Sequence, residues 1–291
     1  MKKIYSFVMG LMLLCTTANA QEIYSYEPSE SRTYCEELLC DVDFTVYADY
    51  LYWKECRSDL GFDNTIFVNP DYSSGWRVGG IITKSNWDAG VKYTSFTTSK
   101  TASFADPFAN NIQARYDADW DIVDIETGYS LYHDCGQALL RPFAGVKLAW
   151  NDELKETINS LTEASKLHFE ACGLYTGLEG RFMLCNAQFC DTCIPFYLVG
   201  RGSAAILKSS FRQNILVNNS PSETFDKQCI YMPVLEAFIG LDIGGSEIYC
   251  VTPHILIGYE VQSWLGRSFN DSSQTANVGL GGLVARLALN F

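Results

Sequence analysis

Residues 86–96 read Asn-Trp-Asp-Ala-Gly-Val-Lys-Tyr-Thr-Ser-Phe, and their order decides the fold class. Trp87, Ala89, Val91 and Tyr93 alternate with Asp88, Gly90 and Lys92. A period of two places apolar side chains on one face of a strand and polar ones on the other. The same alternation sets Tyr116, Ala118, Trp120 and Ile122 against Arg115, Asp117, Asp119 and Asp121. It also sets Pro142, Ala144, Val146 and Leu148 against Arg141 and Lys147. Each polar face carries charge.

Counting outward from this stretch gives ten strands, at about 42–54, 74–83, 86–97, 111–133, 138–150, 167–185, 194–208, 228–244, 247–264 and 276–291. Several exceed the five or six residues usual in soluble sandwiches and suit a tilted strand crossing a bilayer, which needs about 9–11. The connections 55–73, 98–110, 151–166, 209–227 and 265–275 are long, and 84–85, 134–137, 186–193 and 245–246 are short. Strict alternation of long and short, with an even strand number, is the pattern of an up-and-down antiparallel transmembrane β-barrel whose termini both face the periplasm. Closure removes exposed strand edges and pairs every backbone amide inside lipid. Segment 111–133 changes face near Ile122-Val123. It reads either as one bulged strand or as two, which with residues 22–27 would make twelve.

The ends agree with export. Lys2 and Lys3, the apolar run Phe7 to Leu14 and Ala18-Asn19-Ala20 form a signal peptide with an A-x-A cleavage site, too short to span a membrane as a helix. Cys15 follows Leu13 and Leu14 rather than the small residues of a lipobox. The expected organisation is a signal peptide at 1–20, a periplasmic segment at 21–41 and a barrel at 42–291. Losing Lys2 and Lys3 takes the formal charge from −13 to −15, and ten of the 11 cysteines remain. So acidic a chain has no electrostatic footprint for nucleic acid. Trp76, Trp150 and Trp264 fall at outer strand ends, where a membrane girdle or the core of a soluble β-domain would both use them. The last strand alternates through Leu283, Ala285, Leu287 and Leu289 to a terminal Phe291, like the assembly signal of outer-membrane barrels.

Several segments resemble the Legionella-type major outer membrane protein family: Ala48-Asp49-Tyr50-Leu51-Tyr52-Trp53-Lys54, Val123-Asp124-Ile125-Glu126-Thr127-Gly128 and Leu140-Arg141-Pro142-Phe143-Ala144-Gly145-Val146-Lys147. Gly173 to Arg181, Gly258-Tyr259-Glu260-Val261-Gln262-Ser263-Trp264 and the closing Gly281-Gly282-Leu283 extend the likeness over roughly residues 46–291. The resemblance implies a pore-forming barrel in the outer membrane of a Gram-negative-type bacterium. Its motifs mark strands and turns and name no catalytic residue.

If apolar faces meet lipid throughout, the lumen receives Lys92, Arg115, Asp117, Asp119, Asp121, Arg141, Lys147, Glu179, Arg181, Arg201, Glu236, Glu260 and Arg286. Walls of both signs orient polar solutes and favour a channel for small hydrophilic ones, with weak cation preference. Ten strands nevertheless enclose little space, so a plugged, structural or adhesive barrel stays open as the alternative. The cysteines form a second set. Cys35, Cys40, Cys135, Cys185, Cys190, Cys193 and Cys250 fall toward the periplasmic side, and Cys56, Cys172 and Cys229 toward the outer half. In an oxidising envelope these ten are candidates for disulfides, within the chain or to neighbouring barrels, as in chlamydial envelopes. Cys190-x-x-Cys193 lacks the further ligands a metal needs, and no cofactor or metal is expected. A rim hydrolase would have to use His168, near Glu163 and Glu170, as general base; the reading favoured is non-enzymatic.

Overall fold

A computed structural model of the chain describes residues 42–57, 61–62, 66–67, 69–106, 109–133, 137–158, 162–189, 192–217, 220–245, 251–268 and 275–291. The expected signal peptide and periplasmic segment lie outside these residues. The wall consists of β1 (Val42–Arg57), β2 (Tyr72–Lys84), β3 (Trp87–Asp106), β4 (Ala109–Tyr129), β5 (Ala138–Ile158), β6 (Thr162–Phe189), β7 (Thr192–Val217), β8 (Ser220–Gly244), β9 (Thr252–Ser268) and β10 (Thr275–Asn290). Each is antiparallel to its chain neighbours. The ring closes where β10 pairs with β1, from Thr45 opposite Asn290 to Arg57 opposite Val278. The protein is a closed, ten-stranded antiparallel β-barrel.

Both termini of the wall lie at one end, the near end. The two-residue turn Ser85-Asn86 there holds Ser85 at φ 56°, a left-handed conformation uncommon outside glycine. The segment 111–133 does not split. β4 runs unbroken to Tyr129, and Leu131–His133 adds a short continuation paired with β5.

The far end departs from expectation. Much of the segments 98–110, 151–166 and 209–227 is strand, so that β6, β7 and β8 reach 28, 26 and 25 residues. Thr98, Ser99, Lys100 and Thr101 read as loop because they lack apolar alternation. A wall that continues past the lipid has water outside it, and hydrogen-bonded hairpins need no apolar outer face there.

The outer surface explains how the wall sits in lipid. Outward residues on the near-end half are apolar: Leu174, Leu178, Phe182 and Leu184 on β6, Leu235, Ile239 and Leu241 on β8, Ile255 and Ile257 on β9, and Leu283 and Leu287 on β10. Aromatic rings border this band on both sides. Tyr52 stacks on Tyr72 at 5.1 Å and Trp76 meets Tyr93 at 5.2 Å toward the far end; Trp87 meets Tyr129 at 5.0 Å at the near end. Such paired girdles mark the two interfaces of a membrane.

Candidate functional site

Inside the near-end half, alternation delivers charge from every side of the ring. Arg77 of β2 donates to both oxygens of Glu260 on β9 at 2.9 and 3.0 Å, to Asp49 of β1 at 3.3 Å and, through Nε, to Thr94 at 2.9 Å. Arg286 adds a two-pronged contact to Asp49 at 2.7 and 3.0 Å. Lys147, only 1% exposed, bridges Asp124 at 2.6 Å and Glu236 at 2.7 Å, with Lys92 against Asp124 at 3.2 Å. Arg141 grips Asp88 and reaches Glu126 at 3.0 Å; Arg201 meets Glu179 at 3.1 Å and also binds Glu126, which accepts the Tyr175 hydroxyl at 2.7 Å. Arg181 pairs with Asp242 at 2.8 Å. Most of these groups, though not Asp49, Thr94, Asp124, Lys147 or Tyr175, line a vestibule of about 300 Å³. Almost every charge has an opposite partner, as ions taken out of bulk water require.

The far-end half of the interior is apolar. Trp120 of β4 and Trp264 of β9 are 1% and 0% exposed, and their rings meet at 5.2 Å. These two strands are five places apart around the ring in either direction, so the contact spans the full diameter. Phe169 packs on Trp120 at 6.2 Å, on Trp264 at 6.3 Å and on Phe211 at 5.1 Å, and Phe96 on Trp53 at 5.8 Å. Leu51, Leu207, Met232, Val278 and Leu280 fill the remainder. The vestibule therefore has an aromatic floor. On its other side, Arg57 binds Glu153 at 2.8 Å and donates to Tyr116 at 2.9 Å, while Tyr116 donates to Glu55 at 2.7 Å.

Of the thirteen residues assigned to the lumen by alternation, Lys92, Arg141, Lys147, Glu179, Arg181, Arg201, Glu236, Glu260 and Arg286 point inward. Arg115, Asp117, Asp119 and Asp121 do not. They lie on the outer wall of β4, where Arg115 pairs with Asp117 at 2.7 Å and Asp121 accepts the Tyr93 hydroxyl. Their partners in alternation, Tyr116, Ala118, Trp120 and Ile122, are the buried ones. Lower on the same strand Asp124 and Glu126 turn inward and Ile125 outward, with no break in register. The apparent change of face is thus a change of surroundings, from water outside and a dry core inside to lipid outside and a charged interior. Asp49, Arg77, Asp88 and Asp242, outside those thirteen, also face the interior. Arg77 carried a signal, since it stands between Trp76 and Val78.

Trp76 is outward as a girdle residue should be, whereas Trp264 belongs to the interior layer. His168 lies on the outer wall, held by Asp152 and by Glu170 at 3.2 Å. It is above the apolar band, and the Asp152 hydrogen bond outweighs partial burial to raise its pKa above the ordinary histidine value. Its carboxylate partners are not the expected pair, since Asp152 replaces Glu163. Cys56, Cys172, Cys185 and Cys229 are exposed thiols on the outer wall and are not bridged to one another. Cys35, Cys40, Cys135, Cys190 and Cys250, and the side chain of Cys193, lie outside the described residues. Among the described residues no group of His, Cys, Asp and Glu is arranged to hold a metal.

The family model described as Legionella pneumophila major outer membrane protein precursor matches residues 11–288. The chain belongs to the Legionella major outer membrane protein family. Like other members of outer-membrane barrel families, this Legionella-type protein resides in the outer membrane, and its apolar band and girdles are the physical expression of that location. No curated protein matches it significantly. Among solved structures, the outer membrane protease OmpT from Escherichia coli is similar at 10% identity and a TM-score of 0.43, over 86% of this chain and 95% of that one. The attachment invasion locus protein Ail of Yersinia pestis is similar at 9% identity and 0.29, over 86% and 99%. The toluene transporter TodX of Pseudomonas putida is similar at 9% and 0.28, over 86% and 90%. At these identities and scores no activity carries over to the Legionella-type barrel.

Proposed function

We propose that this chain is a structural or surface-displaying outer-membrane barrel that does not pass solutes in the conformation described. One observation carries the reading: Trp120 and Trp264, from opposite sides of the ring, touch across its whole width. Ring contacts of this kind leave no water-filled passage beside them, because the neighbouring positions hold Phe169, Leu207 and Met232, all buried. Ten strands lie close to the eight whose interior side chains just fill it, so a filled core is physically natural.

A second reading, a channel for small hydrophilic solutes, is favoured by the vestibule and its walls of both signs. In that case the aromatic layer would be a gate and the vestibule the chamber behind it. Single-channel recording separates the two. The refolded full chain in a planar bilayer should show no conductance steps, and Trp120→Ala/Trp264→Ala, checked for folding by heat-dependent gel mobility, should introduce them. Regular steps from the parent protein, with a weak cation preference, would remove the closed reading and establish the channel.

A further inference from the structure

On the described outer wall the three large apolar side chains that stand out furthest are Tyr231 at 75% exposure, Leu174 at 72% and Ile206 at 66%. They are neighbours. Leu174 of β6 is opposite Ile206 of β7, and Tyr231 of β8 is opposite Lys208, the next outward residue of β7. Toward the near end the outward residues of β7 shrink to Ala204, Gly202 and Gly200. A Cβ added at Gly200 would touch nothing within 4 Å, and one at Gly202 would meet only the Glu236 carbonyl oxygen, at 3.9 Å. On either side stand Leu178 and Phe182 of β6 and Leu235 and Ile239 of β8, each about half exposed. The result is a trough one strand wide, aliphatic on both flanks, running through the apolar band.

At the far-end head of this trough the wall turns cationic. Lys208 and Arg212 are both exposed, and neither is ion-paired with a described side chain. Glu170, opposite Ser210 between them, is engaged by His168 at 3.2 Å. Alternate residues of a strand are about 7 Å apart, so these two side chains, long and flexible, can converge on one anion above Ser210. Two exposed cations on a chain of net charge −13, placed where the apolar band ends, match the chemistry of a lipid phosphate.

We propose that the trough along β7 seats one acyl chain of an anionic phosphate-bearing membrane lipid, its phosphate held between Lys208 and Arg212. Two cations directly beyond an apolar trough match one lipid, phosphate above and acyl chain below, and this complementarity assigns the site to lipid; a second barrel seated there is an outcome of the test. The glycines leave room for the chain, and the protruding Leu174, Ile206 and Tyr231 grip it below the headgroup.

The test uses the full chain refolded in dodecyl maltoside micelles, with native mass spectrometry against dimyristoylphosphatidylglycerol, dimyristoylphosphatidylcholine and inorganic phosphate, and heat-dependent gel mobility as the check of folding. One phosphatidylglycerol should remain on each barrel in preference to phosphatidylcholine. Lys208→Gln/Arg212→Gln should weaken retention by about 30-fold, the combined worth of two cations at an anionic surface. Gly202→Leu, which keeps both cations and fills the trough, should lose the lipid as well. Equal retention of the two lipids, or retention that neither variant alters, overturns the site. Full displacement by inorganic phosphate would make it a free-anion site and also overturns it. A dimer that Gly202→Leu dissolves would assign the trough to a second copy, with the same consequence.

Discussion

Arg77 gives the most direct test of whether the interior at its level is dry. Its guanidinium makes two contacts to Glu260, one to Asp49 and one to Thr94, and it lies over the Trp53 ring at 5.4 Å. Arg77→Met keeps most of the stem volume and removes the charge. Asp49 would retain Arg286, so the carboxylate left without a cation is Glu260, supported only by the Gln262 amide at 2.9 Å. Breaking a buried pair from one side costs about 3–5 kcal/mol, and because one of the two acids keeps its partner the lower figure, about 3 kcal/mol, applies. With a urea slope of about 1–3 kcal/mol/M, the unfolding midpoint should fall by about 1–3 M. Tryptophan fluorescence of the refolded protein in micelles reads it. Adding Glu260→Gln to Arg77→Met should recover most of the loss, because an amide is far cheaper to bury than an unpaired carboxylate. A loss below about 1 kcal/mol, the value of a solvated pair, would mean that water from the vestibule reaches the Arg77–Glu260 pair and would refute its burial.

Changing Asp117, Asp119 and Asp121 together to Asn should leave the unfolding free energy within about 0.5 kcal/mol of the parent and alter no property of the interior, since all three face outward; a shift in reversal potential of any open state would contradict this placement. Gly282→Ala should block closure of the ring, because an added Cβ would lie 2.0 Å from the Tyr52 carbonyl oxygen in the β10–β1 ladder, and the heat-sensitive compact band on gels should disappear. A compact band of normal intensity would show that the ladder can part there without cost.

Strand number, closure and the near-end turns were legible in the sequence because lipid outside and a paired ladder inside force a period of two with nothing to disguise it. The identity of the faces was not. Alternation states that two faces exist; it does not say which is the lumen, and the assumption that apolar faces always meet lipid fails once the wall leaves the membrane. Tyr116, Ala118, Trp120 and Ile122 are apolar because they fill a core, and Asp117 and Asp119 are charged because they meet water. Two residues further along, Asp124 and Ile125 obey the opposite rule on the same unbroken strand. Hairpin height was hidden for a related reason, since Thr98 to Thr101 satisfy a ladder without advertising it. The trough on β7 could not be read at all. Gly200 and Gly202 acquire meaning only from the side chains of β6 and β8 that flank them.

The indole pair that spans the ring also acts as a strut. A hollow tube under sideways pressure flattens by shortening one diameter while lengthening the other, at little cost to its hydrogen bonds. Here one diameter is already occupied from wall to wall by Trp120 and Trp264, with Phe169 wedged against both, so flattening along it would require compressing rings already in contact. The cross-section resists becoming oval, and a crowded membrane pressing on this barrel meets something closer to a solid peg than to a pipe.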